Sequence, residues 1–214
     1  MKTLLLFLLS LITLSYAYDY SHYTDIDPRF ETVTCSSTIK LQNVVSGAKL
    51  HSHIVRYGSG SGEQSVTGFN ENDDSNSYWT VTGKYGDICA RGTKIKCGSI
   101  IRLQHTDTKK WLSSNNFQSP LSGNGEVNCI DSDKEDSEWK VECLDRKAKY
   151  WIREKPVRFI HNKTGNRLCT YMNYIYNDPI RGQMEVCAVS SNNIQSQWKV
   201  MEGFFFSEQN DDNN

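Results

Sequence analysis

Trp139-Lys140-Val141 recurs as Trp198-Lys199-Val200 and, with Thr in place of Lys, as Trp79-Thr80-Val81, at spacings of 60 and 59 residues. A tripeptide repeated at a constant interval marks three copies of one structural unit, and such a repeat decides the architecture before any local feature does. A second marker lies some forty residues before each Trp: Ile39-Lys40-Leu41, Ile101-Arg102-Leu103 and Val157-Arg158-Phe159. Its apolar/basic/apolar alternation has the period of a strand, with Lys40, Arg102 and Arg158 expected to face water. After the polar turns QNVVSGAK (42–49), QHTDTKKW (104–111) and IHNKTGNR (160–167), an apolar segment resumes at Leu50, Leu112 and Leu168. Strand, turn and strand make a hairpin. A third marker, SPLSGNGEV (119–127) against DPIRGQMEV (178–186), adds a further bend and strand.

Each copy therefore contains about four short strands, and no stretch beyond the first residues has helical periodicity. A unit of this size cannot bury its own Trp, so three of them must share one core. Closing them around a pseudo-threefold axis also removes exposed strand edges. The expected fold is all-β, a β-trefoil of three four-stranded repeats spanning about 33–83, 95–143 and 155–203 within residues 31–206. Aligning the marker leucines sets Ser65-Val66-Thr67-Gly68 against Pro120-Leu121-Ser122-Gly123 and Pro179-Ile180-Arg181-Gly182. On that alignment the glycine-rich GSGSGEQ (58–64) is an expanded hairpin loop of repeat one. A phosphate-binding loop would need a helix after it and a Gly-Lys-Ser/Thr triplet, and neither follows.

Lys2, the mostly apolar run from Leu4 to Leu14 and the small residues before position 18 read as a signal peptide over 1–17. The run is well short of the roughly twenty residues that span a bilayer. Residues 18–30 and the acidic tail 207–214 fall outside the repeats and are expected to be poorly ordered ends. With 24 Lys+Arg against 25 Asp+Glu, the chain has no positive field to attract nucleic acid or anionic lipid.

Seven cysteines, none in a Cys-x-x-Cys pair, in a chain addressed to an oxidising compartment point to disulfides rather than zinc. Cys169 directly follows the marker Leu168, and Cys187 follows Glu185-Val186 on the partner strand, so these two are expected to bond within repeat three. Cys35, Cys97, Cys89 and Cys143 should pair among themselves in an order left open, with Cys129 the odd thiol.

Candidate chemistry is sparse. His51 and His53 share one face of a strand at a spacing a metal can use, but no third ligand is evident nearby, and a polar surface patch is the expectation. Asp131-Ser132-Asp133 matches a sugar-nucleotide metal motif without the βαβ unit that would support it. Trp79, Trp139 and Trp198 occupy equivalent positions and belong to the core. Trp111 and Trp151 lack tryptophan equivalents and are expected to be exposed, as platforms for sugar faces or unfolded apolar segments. With His51, His53 and Tyr57 they form the candidate binding surface. No paired carboxylates or nucleophile elbow are present, so no catalytic residue, metal or cofactor is assigned. Asn162-Lys163-Thr164 is the one Asn-x-Ser/Thr sequon, in a polar turn, and Asn162 is the expected N-glycosylation site.

KLHSH (49–53), YGSGSGEQSVTG (57–68), PLSGNGEV (120–127), VRFIHNKTG (157–165) and WKVMEG (198–203) together make the chain resemble the MIR-domain proteins, and among them the stromal cell-derived factor 2 family. The resemblance runs from about Thr34 to Phe206. It implies a β-trefoil of three MIR repeats, no known catalytic activity and residence in the endoplasmic reticulum. The partners it implies are a luminal J-domain co-chaperone, the heat-shock chaperone that it serves, and unfolded clients. Some relatives end in a retrieval tetrapeptide, whereas this chain ends Asp211-Asp212-Asn213-Asn214, so luminal residence and secretion are both expected outcomes. The alternative function is a glycan-binding module, since a trefoil presents three similar pockets.

Overall fold

The computed structural model describes residues 26–71, 73–132 and 134–208. The signal peptide, residues 18–25, Asp133 and the tail from 209 lie outside them. Repeat one supplies β1 (Thr38–Asn43), β2 (Lys49–Arg56), β3 (Gln64–Phe69) and β4 (Tyr78–Gly83). Repeat two supplies β5 (Ile100–His105), β6 (Trp111–Gln118), β7 (Gly125–Ile130) and β8 (Trp139–Cys143). Repeat three supplies β9 (Val157–His161), β10 (Arg167–Ile175), β11 (Met184–Val189) and β12 (Trp198–Phe204). Antiparallel pairing runs β1–β4–β5–β8–β9–β12 and back to β1, a closed six-stranded barrel. The hairpins β2–β3, β6–β7 and β10–β11 form a cap, in which β3, β7 and β11 pair with one another in a triangle. The fold is a β-trefoil.

Each repeat closes on the same side-chain bond. The indole Nε1–H of Trp79 donates to the Leu50 carbonyl at 2.8 Å, that of Trp139 to Leu112 at 2.9 Å, and that of Trp198 to Leu168 at 2.9 Å. All three indoles are fully buried, so each needs that acceptor. Opposite them on the neighbouring strand stand His105, His161 and Asn43. Each of the three donates a side-chain N–H to the chain just ahead of its Trp, at the carbonyls of Asn76, Asp136 and Gln195.

The segments that open the repeats meet on the axis. Val33 N–H donates to the Trp151 carbonyl at 2.8 Å, Ile95 N–H to Val33 at 3.0 Å, and Trp151 N–H to Ile95 at 2.9 Å. Trp151 is thus the third member of the set Val33, Ile95, Trp151. The expectation that it is exposed is corrected: it is wholly buried, edge-on to Phe159 at a centroid distance of 5.3 Å. The backbone next reverses at Ser36, Gly98 and Glu154, with φ of 69°, 85° and 60°. Each of these donates its N–H to the Val of a Trp-x-Val triplet.

Three further expectations change. Register pairs Leu50 with Gly68, Leu112 with Cys129 and Leu168 with Ala188, and it makes Val66, Val127 and Val186 equivalent. The bend glycines are then Gly62, Gly123 and Gly182, all at positive φ, and GSGSGEQ is a loop of ordinary length rather than an expansion. Lys40 and Arg102 are buried and Arg158 half-buried, not solvated. Lys40 reaches Glu202 at 3.1 Å, Arg158 reaches Glu142 at 3.3 Å, and Arg102 donates to the Gly83 carbonyl at 2.8 Å, their stems covering the barrel wall. Residues 28–30 form a 3-10 turn, and Arg153 donates to the Phe30 carbonyl at 3.3 Å, tying this turn to the domain.

Cys35 bonds Cys89 and Cys97 bonds Cys143, each clasping the start of a repeat to its end. Repeat three has Arg153 in place of a cysteine, its guanidinium 3.8 Å from the ring centroid of Phe205. Cys129 is a buried thiol. The bond expected between Cys169 and Cys187 is not made: they stand opposite each other in the β10–β11 register as two thiols. Opposed Cβ atoms in an antiparallel pair lie about 4.5–5.5 Å apart, beyond the ~3.8 Å typical of a disulfide. Cys169 instead donates to Asn193 Oδ1 at 3.9 Å, and Cys187 accepts from Asn124 Nδ2 at 3.6 Å.

Two measurements follow from this packing. Trp198→Phe strands the Leu168 carbonyl and leaves a void, and urea unfolding should show a loss of about 2–4 kcal/mol. Thiol titration of the unreduced, denatured protein should count three thiols per chain, those of Cys129, Cys169 and Cys187; a count of one would show the third bond to be made.

Candidate functional site

The residue after each marker leucine and the one two further along point to the same side of the cap, because side chains alternate along a strand. These pairs are His51 and His53, Ser113 and Asn115, and Cys169 and Tyr171. Against each pair packs the 3-10 turn that precedes the core Trp: Ser75–Ser77, Glu135–Ser137 and Ile194–Ser196. Threefold geometry thus builds three equivalent sites, and side-chain identity makes them unlike.

In repeat one the site is filled. His51 Nδ1 lies 2.6 Å from Asp74 Oδ2, and its Nε2 lies 2.9 Å from His53 Nδ1. The carboxylate can only accept, so Nδ1 of His51 carries the hydrogen and Nε2 accepts from His53. Burial holds the His51 and His53 pKa values below the ordinary 6.5, outweighing the pull of Asp74, so the chain of contacts is neutral imidazole on carboxylate. Among the described residues, no group of three His, Cys, Asp or Glu could hold a metal. In repeat three Asn193 spans the site, donating to the Tyr171 hydroxyl at 2.9 Å, over the two thiols. Contact with the Cys187 thiol holds Cys169 below the usual thiol range, while the same contact and burial raise Cys187.

Repeat two is open. Short side chains there leave a cleft of about 770 Å³. Its floor is Ser113, Ser114 and Asn128 of the β6–β7 hairpin, and Phe117 stands exposed at its rim. Ser61 and Glu63 of repeat one form one wall, and Lys163, Thr164 and Asn166 of repeat three another. All three repeats contribute to it.

The GSGSG loop has its role here. Ser61 donates its N–H to Glu126 Oε2 at 3.1 Å and its hydroxyl to Oε1, while Asn128 Nδ2 donates to Oε1 at 2.7 Å. Glu126 is wholly buried, and a buried carboxylate needs such donors. A Cβ on Gly60, at φ 68°, would fall on that carboxylate. Repeat two does the same for repeat three, where Leu121 N–H donates to Glu185 Oε1 at 2.7 Å and Ser122 N–H to Oε2 at 3.1 Å. The loop does bind an anion, but an internal one.

The five residues of the expected binding surface are not gathered on a surface. His51 is buried and His53 half-buried in the filled site. Tyr57 is buried, its hydroxyl donating to the Val127 carbonyl at 2.9 Å. Trp111 is 9% exposed with the Arg102 guanidinium 4.7 Å from its ring centroid, and Trp151 lies on the axis. Tyr57 and Trp151 are covered by neighbouring repeats, and His51 and Trp111 by distant segments of their own, neither of which the periodicity within one strand reports. Exposed aromatics among the described residues include Tyr85, Phe117 and Phe204; Phe117, at the rim of the cleft, gives no sequence signal because it has no place in the repeat pattern. Asn162 is exposed on the β9–β10 turn, donating to Glu138 Oε2 at 2.8 Å. Lys110 pairs with Asp131 at 2.9 Å.

Closed barrel, hairpin cap and three diverged sites define a β-trefoil built from one repeated unit. The chain belongs to the stromal cell-derived factor 2 family. It is 47% identical to human stromal cell-derived factor 2 over 176 residues, 81% of this chain and 82% of that one. It is 41% identical to the stromal cell-derived factor 2-like protein of Dictyostelium discoideum over 215 residues, 97% of this chain and 100% of that one. The crystal structure of the SDF2-like protein from Arabidopsis thaliana matches with a TM-score of 0.80 at 38% identity, covering 83% of this chain and 98% of that one. No protein-family model matches the chain.

Acid sensitivity follows from the histidines. Burial lowers His51, His53, His105 and His161 below the ordinary 6.5. Between 6.5 and those lowered values the unfolded chain binds protons that the native state excludes, so stability rises with pH there and is lost as pH falls below 6.5. Thermal melts should drop between about pH 7 and pH 5. His105→Asn, which copies Asn43 of the equivalent position, should flatten that drop.

Proposed function

We propose that this chain is a non-enzymatic accessory subunit of the luminal chaperone machinery of the endoplasmic reticulum. It works beside a J-domain co-chaperone and the heat-shock chaperone it serves, and it keeps unfolded clients soluble. The observation that carries this reading is the cap. Each of its three hairpins presents exposed apolar side chains: Ile54 in the first, Phe117 with nearby Leu121 in the second, Met172 and Ile175 in the third. Exposed apolar groups on a rigid scaffold suit transient capture of the apolar segments an unfolded chain displays. Family membership across the trefoil supports it, as does the signal-peptide pattern of residues 1–17, which directs the chain to the secretory pathway. No described helix is long and apolar enough to cross a membrane. An N-glycan at the exposed Asn162 belongs to the same reading.

A second reading, a glycan-binding module, is favoured by the polar cleft of repeat two. Affinity capture from microsomes of the native host separates them. The first predicts recovery of a J-domain protein that survives glycosidase treatment, and loss of client protection in a light-scattering assay when Ile54 and Met172 are both changed to Ser. Release of every partner by free sugar would sink it.

A further inference from the structure

Charge is divided unevenly along this chain. The joins between repeats, residues 84–99 and 144–156, hold nine Lys and Arg against three Asp and Glu, which leaves 15 against 22 in the rest of the sequence. Both joins lie at the end of the barrel away from the cap, because β4 and β8 run from the cap hairpins toward the axial ring and β5 and β9 return from it. That ring sets the two joins side by side. Lys96 stands opposite Tyr150 in an antiparallel bridge, and Cys97 N–H donates to the Lys149 carbonyl at 3.0 Å. Lys147 and Lys155 line a hollow of about 240 Å³ whose apolar lining includes Tyr150, Ile152, Pro156 and Val157. Lys96, Lys147, Lys149 and Lys155 are all exposed, and among the described residues none of the four makes an ion pair.

The surroundings narrow the partner. Ammonium groups gathered without counter-charges repel one another and favour a ligand of opposite sign. Glu31 and Asp145, also lining the hollow, oppose a uniformly anionic surface such as a phosphate backbone or a lipid leaflet. Lysines moreover lack the planar fork that grips phosphate two oxygens at a time. The hollow is smaller than the usual small-ligand site and takes one bulky apolar side chain. An acidic polypeptide joins such a side chain to flanking carboxylates.

We propose that this basic end of the barrel is a docking surface for an acidic polypeptide segment, which seats one aromatic or aliphatic side chain in the hollow and lays carboxylates against Lys96, Lys147, Lys149 and Lys155. The proposal goes beyond the chaperone reading, which rests on the opposite end of the molecule. Fluorescence anisotropy on the full chain tests it, with a labelled twelve-residue peptide of Glu and Asp around one central Phe as the probe. Binding should weaken about tenfold between about 20 and about 300 mM salt. Lys147→Gln with Lys155→Gln, checked for an unchanged melt, should weaken it about tenfold, and a probe with Gly for the central Phe should lose about as much. Lys109→Gln with Lys134→Gln removes the same charge from exposed positions on the cap side and should leave binding unchanged. No binding at about 20 mM salt and about 1 mM protein overturns the proposal, as does equal loss in the two double variants or indifference to the central Phe. Tighter capture by phosphatidylserine vesicles or by polyphosphate than by the peptide also overturns it, assigning the face to a lipid surface or a phosphate polymer.

Discussion

Three backbone hydrogen bonds joining Val33, Ile95 and Trp151 in a ring hold the starts of the three repeats together on the pseudo-threefold axis. A repeat of four short strands has too little interior to bury an indole. Each one must borrow walls from its neighbours, and the ring brings those walls into place. Its effects spread outward in register. One residue past Cys35, Cys97 and Arg153, a left-handed residue turns the chain so that its N–H meets Val81, Val141 or Val200, placing each Trp-x-Val strand against the opening of its own repeat. The buried indoles then reach back to the marker leucines and pin the cap hairpins to the barrel. The two disulfides clasp repeats one and two at the same level where Arg153 over Phe205 serves repeat three.

A scaffold secured on its axis tolerates divergence at its rim. The residue after the marker leucine is His51, Ser113 or Cys169, three chemistries on one backbone position, and only the smallest leaves a cleft. The cap is held by polar contacts that differ between repeats as well. Ser61 and the Leu121–Ser122 backbone grip the carboxylates of Glu126 and Glu185, each donated by the next repeat, while the corresponding place in repeat one holds Ser65. Glu126 also accepts from Asn128, which forms the floor of the cleft.

Much of this was legible in the sequence. The number of repeats, the strand content, the pseudo-threefold closure, the core role of Trp79, Trp139 and Trp198, and the equivalence of Cys35 with Cys97 follow from spacing and alternation, because those record how side chains distribute about one strand. Spacing failed where the chain has no periodic signal. The GSGSG loop could be slid against its counterparts until register placed Val66 with Val127 and Val186.

Burial by another repeat was decided by the tertiary structure alone. Trp151 reads as an outlier in a three-residue axial bridge, yet its position equals Val33 and Ile95, and the axis closes around it. Lys40 and Arg102 alternate like solvated strand residues but end up covered, because the barrel lays acceptors and aromatic faces over their stems. The open cleft of repeat two exists because side chains from three repeats converge on one gap that their sizes do not fill. Alternation fixes which face of a strand a residue occupies; what covers that face depends on contacts between segments some sixty residues apart, which exist only in the closed tertiary structure.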